Sequence, residues 1–551
     1  MGNAGRSATP APSEHRKPAF PIPRSPSPIP FPMNLPTLSN WRTWEPNPIV
    51  VKELRQAVRS WAITGMLMVF LAVLFFVTVG FLLGQSFNIS PNQALGREIF
   101  QFFLPVLSLV GFMFIPIYVG GRLTAERQDG NVDMLYITTL SPARIIRGKL
   151  LCGVYLTVLF FSVCAPFMVF TNLLRGIDLP TVFVLLVVAF LLSILSLQAA
   201  IFLSCLPASK GLKLLVGLPS GMFMMSLVGM MTALSMEMMR EGVGSRLGTW
   251  DFWGPALSMF FLGLLLFGFL HLAAIALVSP PSANRALPLR AYATVAWALT
   301  LIVAYWWSVL GAASDPMQIW AGFATGALIL SLLISVCEGD EMSVRIRRTI
   351  PESAGKRGLA FFFYSGSAGG LAWTVLLGLV TLVVASLYLD GGLFHTLSAG
   401  VPGRPVFGPS IGSAAPGSTD LFTNLFLYAL AYTLFGLFIH RRFQPQRPPI
   451  FAGLCSLALP ALWVIVPNFV LFFLNQLSWD ALQERQLGNV FTVPFLKDLT
   501  VSRDHFFCAL TLVTIGVGLN FGWFLAQRRA FVPRVRGAAA PPATATPPPL
   551  P

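Results

Sequence analysis

Apolar residues run through this chain in blocks of about 20, the length a helix needs to cross some 30 Å of hydrocarbon. Twelve blocks stand out, near 61–84, 100–121, 149–174, 180–206, 214–236, 254–279, 292–312, 317–337, 368–388, 421–440, 450–476 and 506–527. A transmembrane barrel would show segments of about 10 residues with alternating hydrophobicity, and no such alternation occurs here. The pattern predicts an all-α polytopic membrane protein with about twelve transmembrane helices. The first block begins about sixty residues in and is followed by no small-residue cleavage site, so it reads as a span rather than a secretory signal.

The polar connections are as informative as the spans. Residues 1–46 are rich in Pro and Ser and lack apolar periodicity, and 531–551 are rich in Pro and Ala; both are predicted to be disordered tails. The segment Asn47–Trp61 differs. Val50, Leu54, Ala57, Val58 and Trp61 recur at helical spacing, with Lys52, Glu53, Arg55, Gln56 and Arg59 on the other face. Pro48 suits the first turn of a helix, with Asn47 as its cap. A basic amphipathic helix with an interfacial Trp lies in the membrane surface. Between the second and third spans lies a polar island, Arg122–Lys149. Gly130-Asn131 is a turn signal, and Asn131 can cap a short helix over 132–139 with Asp133 in its first turn. That helix would show Val132, Leu135, Tyr136 and Thr139 along one side. Ser141-Pro142 signals a second helix start leading into the third span, with Arg144, Arg147 and Lys149 at headgroup level. A solvated loop with incidental hydrophobes is the plainer alternative.

Composition and charge add class and orientation. The 551 residues are 55% hydrophobic and only 11% charged, with a mean hydropathy of +0.72; soluble globular chains carry about 25% charged residues. With the N-terminus inside, 29 of the 37 Lys and Arg fall in inside segments and 8 outside, while the acidic residues divide 10 to 12. The positive-inside rule therefore places both termini in the cytoplasm of a plasma membrane, the bacterial cytoplasmic (inner) membrane. Topology and lipid headgroups account for the +15 net charge, and no nucleic acid is implied.

Candidate chemistry is sparse. The six cysteines (152, 164, 205, 337, 455, 508) lie in or at the ends of spans without C-x-x-C spacing, and the five histidines form no i, i+4 pair with a carboxylate, so no metal site is expected. Neither Gly148-Lys149 nor Gly355-Lys356 has the upstream glycine or following Ser/Thr of a P-loop, so this chain is not expected to be an ATP-hydrolysing enzyme.

Asn47-Pro48 with Lys52-Glu53-Leu54-Arg55 before the first span resembles the opening of ABC-2 type ABC transporter permeases. Glu126, Gly130, Asp133, Leu135, Thr138, Thr139, Leu140, Ser141, Pro142, Ile145, Gly148 and Lys149 resemble their cytoplasmic pattern between spans two and three. The resemblance is best over 47–280, which would form a permease domain of elbow helix plus six spans, with 281–530 a second six-helix bundle. It implies a transport subunit, an exporter, whose coupling helix at 132–139 docks on a separate ATPase. The coupling residues would be Glu126, Gly130, Asp133, Leu135, Tyr136, Thr139, Pro142, Gly148 and Lys149. The interfacial elbow would use Pro48, Lys52, Glu53, Leu54, Arg55 and Trp61. ATP and Mg would be bound by the partner ATPase and no cofactor by this chain; other partners would be membrane lipids and a second copy or another permease chain.

The chain departs from that family in having about twelve spans rather than six. Its loop between spans ten and eleven, 441–449, has no room for a second coupling helix, although the basic loop 338–360 could offer a second contact. Alternatives are an ion-coupled secondary transporter, a membrane glycosyltransferase and a non-transporting scaffold. The first lacks a mid-membrane acidic residue, and the second finds only Glu98 in residues 85–99. His271 lies within span six, and Gln198, Asn424 and Asn520 are expected to tie helices together.

Overall fold

Apolar blocks of this length have one stable solution in a bilayer, the helix, because every backbone N–H and C=O must be satisfied within the segment. The computed structural model describes residue 2 and residues 48–87, 95–128, 141–206, 210–280, 282–311, 315–389, 418–474, 486–496 and 499–533. Among these residues there is no strand, and twelve helices are long and apolar enough to cross a membrane. The protein is an all-α polytopic membrane protein. The tails (apart from residue 2 and 531–533), the 132–139 helix and most of the 389–420 connection lie outside the described residues. The helices from Ile49 onward belong to one compact unit.

The elements are α1 (Pro48–Val58), α2 (Trp61–Phe87), α3 (Leu95–Leu109) and α4 (Ile115–Gln128), then α5 (Pro142–Leu173), α6 (Leu179–Ser204), α7 (Lys210–Glu241) and α8 (Trp250–Val278). The second half holds α9 (Ala286–Gly311), α10 (Asp315–Val336), the short α11 (Val344–Arg347), α12 (Ala354–Phe363), α13 (Ser367–Tyr388), α14 (Ser418–Phe443), α15 (Ile450–Phe473) and α16 (Leu499–Ala530). A wide π-turn at Val110–Phe114 joins α3 to α4, so the two form a single span, Leu95–Arg127. Here Gly111 permits close approach to α6: a Cβ would lie 2.3 Å from Ser193 Oγ.

Helices outlast the apolar runs that announce them. The second span continues to Arg127 and the third begins at Pro142, rather than 121 and 149; the twelfth runs from Thr500 to Ala530 rather than 506–527. A hydropathy window sees only residues that tolerate lipid, whereas intrahelical hydrogen bonding continues through polar residues beyond the hydrocarbon.

Two buried apolar clusters organise the spans. One gathers Phe70, Phe100, Phe103, Phe112, Phe160 and Leu197 from α2 to α8 and their π-turn. The other gathers Trp320, Leu332, Trp373, Phe426, Leu430 and Leu437 from α9 to α14. The helices meet at α8 and α9, where the Tyr292 hydroxyl donates to Leu265 O (3.0 Å) and Trp307 Nε1 to Ser258 Oγ (2.9 Å). Outward faces are apolar: Phe75, Phe76, Phe260, Ile465 and Phe469 are all exposed, as lipid-facing residues should be.

The polar candidates within spans tie helices together. Asn424 Nδ2 donates to Ser502 O (3.1 Å) and Asn520 Nδ2 to Leu434 O (3.0 Å), joining α14 to α16. Gln198 Oε1 lies 3.3 Å from His271 Nδ1, joining α6 to α8.

Candidate functional site: a buried ion cluster at one end of the bundle

The sequence places Lys149 about two turns inside α5, on the stripe Ile145, Lys149, Cys152 and Leu156. All four are buried. A lysine on an apolar stripe has no aqueous outlet, so it must find an acid nearby or lose its charge. It finds two. Lys149 Nζ lies 2.7 Å from Glu53 Oε1 on α1 and 2.7 Å from Glu126 Oε2 on α4. The side-chain exposures are 3% for Lys149, 5% for Glu53 and 28% for Glu126.

One expectation is corrected here: Glu53 is not on the solvated face of α1. Lys149, expected at headgroup level, is enclosed by protein. The buried face of α1 is Val50, Glu53 and Ala57, while Val58 and Trp61, expected on the stripe that lies in the membrane surface, are exposed, Trp61 by 87%. The reason is tertiary. α1 turns its carboxylate toward α4 and α5, which leaves Val58, and Trp61 at the start of α2, facing outward, as a helix lying in a lipid surface requires.

A second layer surrounds the lysine. Tyr118, Arg122 and Glu126 recur every fourth residue and share one face of α4. Arg122 Nη1 donates to the Tyr118 hydroxyl (2.9 Å), its guanidinium sits over that ring at 5.7 Å, and Nη2 donates to Gln56 Oε1 on α1. Lys52 approaches the outer oxygen of Glu126 at 3.9 Å. Arg127 Nη1 donates to Cys205 O at the end of α6, bringing a fourth element to the same end of the bundle. Gln56 and Arg122 were not among the site residues read from the sequence. The i, i+4 series on α4 was the available signal for Arg122, whereas nothing local marks Gln56.

The cluster therefore joins α1, the end of α4 and the start of α5, the elements that flank residues 129–140 on both sides. Of the expected coupling residues, Glu126 and Lys149 meet in it. Gly148 is buried beside Lys149, and Pro142 opens α5 after Ser141, whose extended backbone (φ −73°, ψ 146°) starts the helix. Gly130, Asp133, Leu135, Tyr136 and Thr139 lie outside the described residues. Of the expected elbow residues, Glu53 enters the cluster and Lys52 touches it, Leu54 is half-buried, and Arg55 and Trp61 are exposed. Pro48 opens α1.

The cluster ties three helices together through charge. Its ion pairs join two carboxylates to the Lys149 ammonium, with Lys52 at the outer edge, while the Arg122 guanidinium bonds Tyr118 and Gln56 beside them. Among the described residues no three His, Cys, Asp or Glu side chains gather as a metal site would require. None of the six cysteines is in a disulfide.

A second buried ion pair lies in the other half. Arg290 Nη2 meets Glu338 Oε1 at 2.6 Å, and Arg290 Nη1 donates to Phe362 O (3.2 Å) and Tyr364 O (2.6 Å). It holds the connection between α10 and α13 against the start of α9. No protein-family model, curated protein or solved structure matches this chain.

Proposed function

We propose that this chain is the membrane-spanning permease subunit of an ATP-driven ABC transporter, an exporter, coupled to a separate ATPase through the 122–149 connection. The observation that supports the reading is the Lys149 cluster. A force applied to residues 129–140 by a docked partner reaches α4 and α5 directly, and Lys149 with Glu53 ties α1 to the same point. The three elements would move as one rigid piece, which is what conversion of ATPase closure into a shift of spans requires. ATP and Mg would reside on the partner. The charge distribution supports a plasma membrane location with both termini cytoplasmic. A second copy or another permease chain would complete the assembly.

The test is gentle purification from the native membrane. A stoichiometric ATPase subunit should accompany the chain and be lost from a Leu135→Asp/Tyr136→Asp variant that still reaches the membrane. A chain that purifies alone, under conditions that preserve other membrane complexes, overturns the proposal in favour of an ion-coupled carrier or a scaffold.

A further inference from the structure

The connection between α10 and α13, residues 337–366, is a folded cap rather than a loose loop. Its interior is apolar: Ile346, Ile350, Phe361 and Tyr364 pack around Phe531, which follows α16. The Phe531 ring lies 5.5 Å from Phe361 and 5.6 Å from Tyr364, and Phe524 lies 5.9 Å from Phe361, all edge-on. The Ser343 side chain caps α11 by accepting from Ile346 N (3.3 Å) and donates to Ser282 O (3.1 Å). The Tyr364 hydroxyl closes the cap by donating to Thr349 O (2.7 Å).

Charge within this cap is sorted. Two of its four acids are engaged internally. Glu338 pairs with Arg290 and accepts from Gly366 N (2.8 Å), while Asp340 accepts from the Ser367 hydroxyl and from Trp523 Nε1 (2.9 Å). The basic residues are left at the surface. Arg345, Arg347, Arg348 and Lys356 are exposed and Arg357 is half-buried, against only Glu341 and Glu352 among exposed acids. Beside them two apolar side chains are also uncovered, Val344 by 45% and Leu359 by 65%. Both ends of the cap are pinned at span ends, Val336 and Ser367. A surface held that close to the bilayer meets lipid headgroups first, and cationic side chains there are drawn to anionic ones.

We propose that the α11–α12 cap is a docking surface for anionic phospholipid. The phosphates are held by Arg345, Arg347, Arg348, Lys356 and Arg357, and Val344 and Leu359 reach the acyl boundary beneath them. Arginine suits the task because its planar fork can engage two phosphate oxygens at once. The inward use of Glu338 and Asp340 removes the charges that would otherwise neutralise the surface. This inference is independent of any ATPase partner.

The full chain in detergent, titrated with phosphatidylglycerol and separately with phosphatidylcholine and read by native mass spectrometry, tests it. The wild type should prefer phosphatidylglycerol, with a preference that weakens as salt is raised. A variant carrying R345Q, R347Q, R348Q, K356Q and R357Q should lose that preference by about tenfold or more, since each cation at headgroup depth contributes about fivefold. The charge-keeping variant R345K, R347K, R348K and R357K, which alters the same four arginines, should retain most of it. Unchanged phosphatidylglycerol preference in the glutamine variant overturns the proposal. So does a glutamine variant that keeps its lipids but loses a co-purifying acidic protein, which would make the cap a protein-docking surface.

Discussion

Replacing Lys149 with Met tests whether the ion cluster clamps α1, α4 and α5. The substitution keeps the length of the side chain and its fit to the buried stripe, and removes only the charge. At 2.7 Å and an effective dielectric of about 20, each carboxylate attracts the ammonium by about 6 kcal/mol. Most of that attraction is offset by the cost of taking the charges out of water. Removal of one partner from a buried pair nevertheless costs about 3–5 kcal/mol, because the survivor is left buried and unpaired. The survivor here is Glu53, with a side chain only 5% exposed; Glu126, at 28%, can turn toward water and toward Lys52.

The expected order of destabilisation is therefore Lys149→Met, then Glu53→Gln, then Glu126→Gln. Glu53→Gln leaves Lys149 paired with Glu126, and Glu126→Gln removes the most exposed group. Adding Glu53→Gln to Lys149→Met should restore about 2 kcal/mol by deleting the orphaned charge. The assay is thermal unfolding of the purified chain followed by intrinsic tryptophan emission, which 13 tryptophans make strong. At about 1 °C per kcal/mol for a unit of about 500 residues, Lys149→Met should lower the midpoint by about 3–5 °C. An unchanged midpoint for Lys149→Met, or strictly additive losses in the double variant, would refute the clamp.

Other outcomes follow from the same geometry. Arg290→Gln should release the 337–366 connection by leaving Glu338 without its cation, seen as faster amide exchange there while α2–α6 remain protected. Gly436→Val should destabilise by about 1–3 kcal/mol, since a Cβ at 436 would meet Ser456 Oγ at 2.2 Å and its backbone N at 2.6 Å; Gly221→Ala, with nothing within 4 Å, should unfold like the wild type. Burial raises the Cys337 thiol above its ordinary pKa, so the thiolate is scarce at neutral pH. Maleimide labelling of Cys337 should be slower than that of a free thiol and should keep accelerating at pH values where the free thiol has levelled off; equal profiles would contradict the burial.

The helix count was legible because each span announces itself locally. A run such as Leu71–Val79 is apolar at every position but Thr78, and no arrangement of its neighbours changes the need to keep it from water. Span ends were less legible. The continuation of α4 through Arg122, Glu126 and Arg127 depends on what those side chains bond to, and a hydropathy window is blind to that. Glu53 shows the limit most plainly. By its spacing it belongs with Lys52 and Gln56 on a polar face, yet a lysine 96 residues later draws it inward.

By itself, then, the sequence determined the solvent this protein folds in, the helical form of its spans and the sorting of basic charge between loops. Each of these is a sum over neighbouring residues, and transfer free energies add along a chain. Only the tertiary structure decided which charged residues are buried, which acid each cation meets and which face of α1 looks outward. Those outcomes depend on groups brought within 3 Å from distant parts of the chain, as with Lys149 and its two carboxylates. Coulomb energy at that range outweighs any preference a residue has for its place on an isolated helix.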